Sequence, residues 1–302
     1  LQKSNTATEN LKKSNTHSDW LTVTWKEDAE NTLEVLKSKK FDWLIVDHYS
    51  LDIYWESKMR PYTRNIMVID DLYDRKHDCD LLLNQNICIG SFSYNGLVPL
   101  HCKIFHGPEC ALLREEFSRQ RRRKRDGTIK RIFIFFGGSD LTNETVKAMK
   151  AFLTLNKFDI LVDVVIGKSN VNYEEIKKIS ESCRSFTLHR QVENMAELMN
   201  KSDLAIGACG TTSWERCYLG LPSLVITIAL NQEEIAEELG KLNAVKLLGK
   251  SSTVTIENIA IELNHLFNNP LEVREMSESS LAILENHKKC LHKLDRKSTR
   301  LN

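Results

Sequence analysis

From Arg131 to the end of the chain one unit repeats: a short apolar run, a turn rich in small residues, then an amphipathic stretch of helical length. The pattern predicts a strand over 131–136 leading through Gly137-Gly-Ser-Asp140 to a helix over 142–153. It continues with a strand over 160–166 ending at Gly167, and a helix over 174–183. A helix over 195–200 leads to a strand over 203–206, the turn Gly210-Thr-Thr-Ser213 and a helix over 214–219. A strand over 223–228, a helix over 232–242 and helices over 256–268 and 271–291 close the series. Strands separated by helices of this length cannot be joined as hairpins, so the sheet is parallel with helices on both faces.

The first half carries the same signal more weakly. Trp43-Leu-Ile-Val-Asp47, Ile66-Met-Val-Ile-Asp70 and Leu81-Leu-Leu-Asn84 are apolar runs, each ending in Asp or Asn. Ligands of open parallel sheets bind at the carboxyl ends of strands, yet Asp and Asn also start turns and cap helices. Both readings stand for each of these residues. Two such halves make an α/β protein of two Rossmann-like domains whose parallel sheets face a cleft.

Between them, Arg119 to Arg131 holds eight Lys/Arg against one Asp. No aromatic residue interleaves with these charges, so the run reads as a solvated interdomain linker rather than a nucleic-acid patch. The expected division is a loose or non-native start over 1–19, a first domain over 20–120, a linker over 121–130, a second domain over 131–291 and a polar tail over 292–302. With 42 Lys+Arg against 41 Asp+Glu there is no general attraction to nucleic acid. No apolar run approaches the roughly 20 residues of a spanning helix, so no membrane insertion is expected. Eight scattered cysteines without a CxxC spacing read as reduced thiols of a cytoplasmic protein, with no zinc site.

Strand, glycine-rich turn and helix start form an anion-binding geometry, because free N–H groups and the positive helix end meet where glycine permits close approach. Gly137-Gly138-Ser139-Asp140 and Gly210-Thr211-Thr212-Ser213 both have this form, and neither matches the P-loop or the dinucleotide fingerprint. Glu215 follows the second turn. Taken alone it reads as a solvent-facing first-turn glutamate stabilised by the dipole; beside a bound diphosphate it could accept from both ribose hydroxyls. Gln232, opening the next helix, could reach a phosphate or sugar.

Gly-Gly-Ser-Asp, then Gly210-Thr-Thr-Ser-Trp-Glu-Arg-Cys-Tyr-Leu-Gly-Leu-Pro222, then Asn231-Gln-Glu-Glu-Ile-Ala-Glu-Glu-Leu-Gly240 resembles the carboxyl half of GT-B nucleotide-sugar enzymes. Trp43-Leu-Ile-Val-Asp-His-Tyr49, Val68-Ile-Asp-Asp-Leu72, His77-Asp-Cys-Asp-Leu-Leu-Leu-Asn84 and Gly107-Pro-Glu-Cys-Ala-Leu-Leu-Arg-Glu-Glu-Phe117 narrow this. Together they resemble the UDP-2,4-diacetamido-2,4,6-trideoxy-β-L-altropyranose hydrolases of pseudaminic acid synthesis.

The resemblance implies a GT-B-like fold and cleavage of the anomeric C1–O bond with inversion, releasing UDP and free sugar. It implies UDP on the second domain, bound by Gly138, Ser139, Ile166, Gly210, Thr211, Thr212, Ser213, Glu215 and Gln232. Asp47, His48 and Tyr49 would serve as catalytic residues beside the sugar. No cofactor and no metal are implied; the partner is a small-molecule UDP-sugar. The family opens with a strand and a glycine-rich loop carrying a Gly-His pair taken as the base. No such pair precedes Trp20 here, so the chain is expected to lack its first βα unit. The alternatives are a GT-B glycosyltransferase using a UDP-sugar donor and a UDP-sugar-binding fragment without activity.

Overall fold

The computed structural model describes residues 17–87 and 93–299, which form two compact units. The first runs to Cys110 and regains the chain from Lys288; the second is Ala111–His287.

In the first unit, α1 (Trp25–Ser38) precedes β1 (Phe41–Val46), α2 (Ile53–Met59) precedes β2 (Thr63–Ile69), and β3 (Leu81–Asn84) and β4 (Lys103–His106) follow. The strands form a parallel sheet in the order β1-β2-β3-β4. Its faces differ in depth. Ala29, Leu36, Val46, Trp55, Met59, Ile66 and Leu82 make one core, and Met67, Leu81, Leu83 and Phe105 a smaller one on alternate residues of the same strands. That alternation places an apolar layer on both sides of the sheet, as parallel strands require. The first helical turn, Ser18–Trp20, precedes α1, so residues 17–19 of the expected loose start are ordered against the unit; residues 1–16 lie outside the described residues.

The second unit contains α3 (Glu115–Ser118), β5 (Arg131–Phe135), α4 (Glu144–Thr154), β6 (Leu161–Ile166), α5 (Tyr173–Ser182), β7 (Phe186–Arg190), α6 (Met195–Lys201), β8 (Leu204–Ala208), α7 (Thr212–Leu219), β9 (Ser223–Thr227), α8 (Glu233–Lys241), β10 (Val245–Lys250), α9 (Ile256–Asn268) and α10 (Pro270–Ile283). Its sheet is parallel in the order β7-β6-β5-β8-β9-β10. Counted from the unit's first strand this is 3-2-1-4-5-6, the doubly wound order. The direction of winding reverses between β5 and β8, which pair directly, Ile132 with Leu204 and Phe135 with Gly207. The helices cover the sheet: α4 alone buries Val146, Ala148, Met149, Ala151 and Phe152.

Three expectations need correction. The helix expected over 271–291 is two: α10 ends at Ile283, and α11 spans His287–Thr299, so most of the supposed tail over 292–302 is helical. Cys290 and Leu294 of α11 pack on the smaller core of the first unit. Cys290 is joined to Cys110 in a disulfide, so these two are not the free thiols expected; Cys79, Cys102, Cys183, Cys209 and Cys217 are free. Cys88 lies outside the described residues.

The basic run is solvated only in part: Arg119, Arg121, Lys124 and Lys130 are exposed, but Arg122, Arg123 and Arg125 are turned onto the unit. Arg125 is 6% exposed and donates to the carbonyls of Ser202, Leu219 and Gly220 at 2.6–2.9 Å, at the carboxyl ends of α6 and α7. Arg123 pairs with Asp203, and Arg122 lies 3.9 Å from the centre of the Tyr218 ring. The orphan carbonyls and negative dipoles of two helix ends supply what a guanidinium needs to leave water. Among the described residues no helix is long and apolar enough to cross a membrane.

Candidate functional site

The switch point of the second unit lies between the loops that follow β5 and β8. These are the two small-residue turns picked out in the sequence, and they differ in what their helices offer.

After β5, Gly137 turns at φ +89°, a conformation that strains any residue with a Cβ. Gly138 and Ser139 are exposed. Asp140 is not: it is 2% exposed, and its carboxylate accepts from the Glu144 and Thr145 N–H groups at 3.0 and 2.9 Å. The amino end of α4 is therefore already neutralised by its own chain. An anion at this loop would meet the Gly137–Ser139 backbone rather than the helix end. Ile166, at the end of β6, is 1% exposed, and its side chain belongs to the core of the unit. The next residue sets the loop's shape instead: a Cβ at Gly167 would sit 2.2 Å from the Gly138 carbonyl oxygen.

After β8 no side chain caps α7. The Ser213 and Trp214 N–H groups bond the Gly210 and Thr211 carbonyls at 2.9 and 3.1 Å, which leaves the N–H groups of Gly210, Thr211 and Thr212 to give the helix its positive end. Ser213 is turned inward at 1% exposure. Its hydroxyl bonds Arg216 at 3.0 Å, and its N–H is taken by the Gly210 carbonyl. Arg216, also buried, reaches the Ala208 carbonyl at 2.7 Å and so fixes the end of β8 under the turn. Of the four residues in this turn, Ser213 therefore braces the loop while the other three remain at its surface.

Gln232 lies in the short turn before α8. Its Oε1 accepts from the Ile228 N–H at 3.1 Å, and its Nε2 would stand 3.8 Å from a Cβ on Gly210. Its amide thus spans the loops after β8 and β9 and keeps donors for a ligand. Glu215 is one turn into α7 and 8% exposed, not solvent-facing. Arg114 grips it with two bonds, Nε to Oε1 at 2.9 Å and Nη2 to Oε2 at 3.2 Å. Burial pushes the Glu215 carboxyl above its ordinary range, and Arg114 pulls it back. Arg114 stands in the Gly107–Phe117 motif, but its partner, 101 residues away, is invisible to spacing.

In the first unit the carboxyl ends of the strands carry Asp47, Asp70, Asn84 and His106. Asp47 is exposed. His48 Nδ1 accepts from the Ser50 N–H at 3.1 Å; that bond assigns the ring proton to Nε2 and leaves the ring a donor on its other side. Burial and the carboxylates of Asp71, Asp70 and Asp47 push the Tyr49 phenol well up, so it stays protonated.

Asp70, Asn84 and His106 belong to a network that sequence reading missed. Asp70 is 2% exposed and pairs with Arg75 at 2.6 Å; Tyr94 donates to its carbonyl at 2.7 Å, and Asn84 donates to Tyr94 at 3.1 Å. Tyr73 stacks on Tyr94 at 4.4 Å and bonds His106 at 2.8 Å. Behind it, His77 is paired with the fully buried Glu56 at 2.7 Å. The available signal was the polar residue closing each strand.

Residues 131–294 match the model of the glycosyltransferase family 28 C-terminal domain. The chain is 30% identical over 216 residues to the UDP-2,4-diacetamido-2,4,6-trideoxy-β-L-altropyranose hydrolase of Campylobacter jejuni, covering 71% of this chain and 77% of that protein. The chain belongs to the family of this hydrolase, and its own second half is a glycosyltransferase family 28 C-terminal domain.

Solved structures agree in fold. UDP-GlcNAc 2-epimerase from Neisseria meningitidis, bound to UDP-GlcNAc, superposes with a TM-score of 0.59 at 15% identity, covering 95% of this chain and 84% of that one. MurG of Acinetobacter baumannii gives 0.52 at 15% identity, covering 90% and 77%. The fold of this chain is thus GT-B-like, with two parallel-sheet α/β units, as the motifs imply.

Proposed function

We propose that this protein hydrolyses a UDP-linked 2,4-diacetamido-2,4,6-trideoxy sugar, releasing UDP and the free sugar for pseudaminic acid synthesis. The observation that carries the reading is an α7 amino end capped by no side chain beside a buried carboxylate, at the switch point of the second unit of a chain 30% identical to a UDP-sugar hydrolase. In the second unit, the N–H groups of the Gly137–Ser139 and Gly210–Thr212 turns take the diphosphate, with the Gln232 amide beside them. Glu215 accepts from the ribose. In the first unit, Asp47, His48 and Tyr49 serve the sugar: His48 and Tyr49 as donors, and Asp47 as the exposed carboxylate of the three.

Water attacks C1 on the face opposite the diphosphate. A new C1–O bond forms as the C1–O bond to phosphate breaks, the electron pair leaves with UDP, and the water's proton passes to a base. Helix-end N–H groups aimed at the leaving oxygens stabilise the charge that develops there.

The test is incubation with the UDP-sugar, following UDP and free sugar with and without an acceptor. Equal release of both without acceptor is expected. UDP release only in the presence of an acceptor would replace this reading with a glycosyltransferase. UDP binding without turnover would reduce the protein to a binding module.

A further inference from the structure

We infer that Arg114 is a positioning residue that aims one oxygen of the Glu215 carboxylate at the 2′-hydroxyl of the nucleotide, and so sets the preference for ribonucleoside over deoxyribonucleoside diphosphates. This rests on the reading above that Glu215 takes the ribose.

A carboxylate has two oxygens and about four lone-pair sites, and a guanidinium fork matches one site on each. Arg114 occupies that pair. The sites left over are one per oxygen, on opposite flanks of the carboxylate and in its plane, and one of them accepts a single ribose hydroxyl. The fork is itself held. Nη1 pairs with Glu116 at 2.9 Å, Glu116 is anchored by the Ala196 N–H at 3.0 Å, and the guanidinium lies 5.1 Å from the centre of the Phe117 ring. The carboxylate plane is thereby fixed before any ligand arrives, and the ligand is spared the ordering cost.

Arg114 also keeps the acceptor charged. Glu215 is 8% exposed, and burial works against its ionised form. Without the guanidinium the carboxyl moves further up, and a protonated oxygen no longer accepts from a hydroxyl.

An ion pair that merely stiffens the turn around α3 would, on removal, weaken all nucleotides alike. A positioning role predicts loss confined to the hydroxyl increment. The experiment is calorimetric titration of the full chain with UDP and with 2′-deoxy-UDP, for the wild type, R114A, R114K and E215Q, each checked for folding by circular dichroism. The wild type is expected to favour UDP by about tenfold or more, the factor one charge-assisted hydrogen bond supplies. R114A should bring the two affinities within about threefold, mainly by weakening UDP. R114K, a single-point donor without the fork, should fall between. UDP binding by R114A, taken relative to the wild type at each pH, should recover as pH rises.

If R114A keeps the full UDP preference while E215Q loses it, the Arg114 proposal is overturned and the ribose reading stands. Equal weakening of both nucleotides in R114A overturns it too. Wild-type affinity for UDP in E215Q removes the ribose reading itself, and this proposal with it. Should R114A fail to fold, R114K decides by the same ratio.

Discussion

Arg125→Met replaces a buried guanidinium with an unbranched apolar side chain. Its acceptors do not all suffer equally. The Ser202 carbonyl keeps Arg123 as a donor at 2.9 Å, and the Gly220 carbonyl keeps the Ser277 hydroxyl at 2.6 Å. The Leu219 carbonyl, 2.6 Å from Nη1, loses its side-chain donor; so do those of Met199 and Asn200, but these bonds are long, 3.3 and 3.4 Å, and Met199 keeps the Ser202 N–H. An orphaned buried acceptor costs about 1–3 kcal/mol. Each of two helix ends losing a cation adds about 0.3–1 kcal/mol. Relief of the guanidinium's desolvation offsets part of this. The net is destabilisation of about 2–3 kcal/mol in the unit Ala111–His287, or roughly 4–12 °C in midpoint temperature for a domain of that size. Calorimetric unfolding, with the transition of this unit resolved from that of the other, measures the shift. Arg125→Lys, which reaches fewer carbonyls, should fall between. A change below about 2 °C for Arg125→Met would refute the reasoning, since it would mean that burying the charge costs as much as its hydrogen bonds return.

Asp140→Ala strips two buried N–H groups of α4 of their acceptor, and should lower stability by about 1–2 kcal/mol in urea titration; an unchanged midpoint would deny the cap its role. Tyr49→Phe should lower turnover while leaving UDP affinity unchanged; parallel loss of both would put the phenol on the nucleotide instead. Glu215 carries a carboxyl raised by burial, so it is charged above its folded value and neutral below it. The affinity gap for UDP between wild type and E215Q should therefore shrink as pH falls, beginning above the range of about 4.3 where a free glutamate titrates. A gap still undiminished at pH 4.5 would contradict this.

The central strands of the second unit were legible because β5, β6, β8 and β9 are largely buried and read as apolar runs, interrupted within β6 only by the buried Asp163. β7 and β10 escaped notice because they are the sheet's edges. Phe186-Thr-Leu-His-Arg190 and Val245-Lys-Leu-Leu-Gly-Lys250 mix polar with apolar residues, as edges exposed to water do. β4, only four residues long, offered no period to detect. The two anion loops were legible as turns, but not the difference between them. Whether a helix end is open or closed by its own Asp140 depends on one χ angle, not on composition. The Arg114–Glu215 grip, the burial of Arg125 and the Glu56–His77 pair join residues distant in sequence, and charge alone marks such residues as surface.

The first unit is discontinuous: its last helix, α11, is separated from the rest by the whole second unit, and Cys290 meets Cys110 across 180 residues. A ribosome adds about 5–20 residues per second. The smaller apolar layer of the first sheet, around Met67, Leu81 and Phe105, therefore waits roughly ten to forty seconds for its covering helix. During that interval the nascent chain exposes an oily sheet face while the second domain is still being synthesised. Chaperone capture and premature aggregation compete there, and stop codons just before Lys288 would leave that face permanently bare.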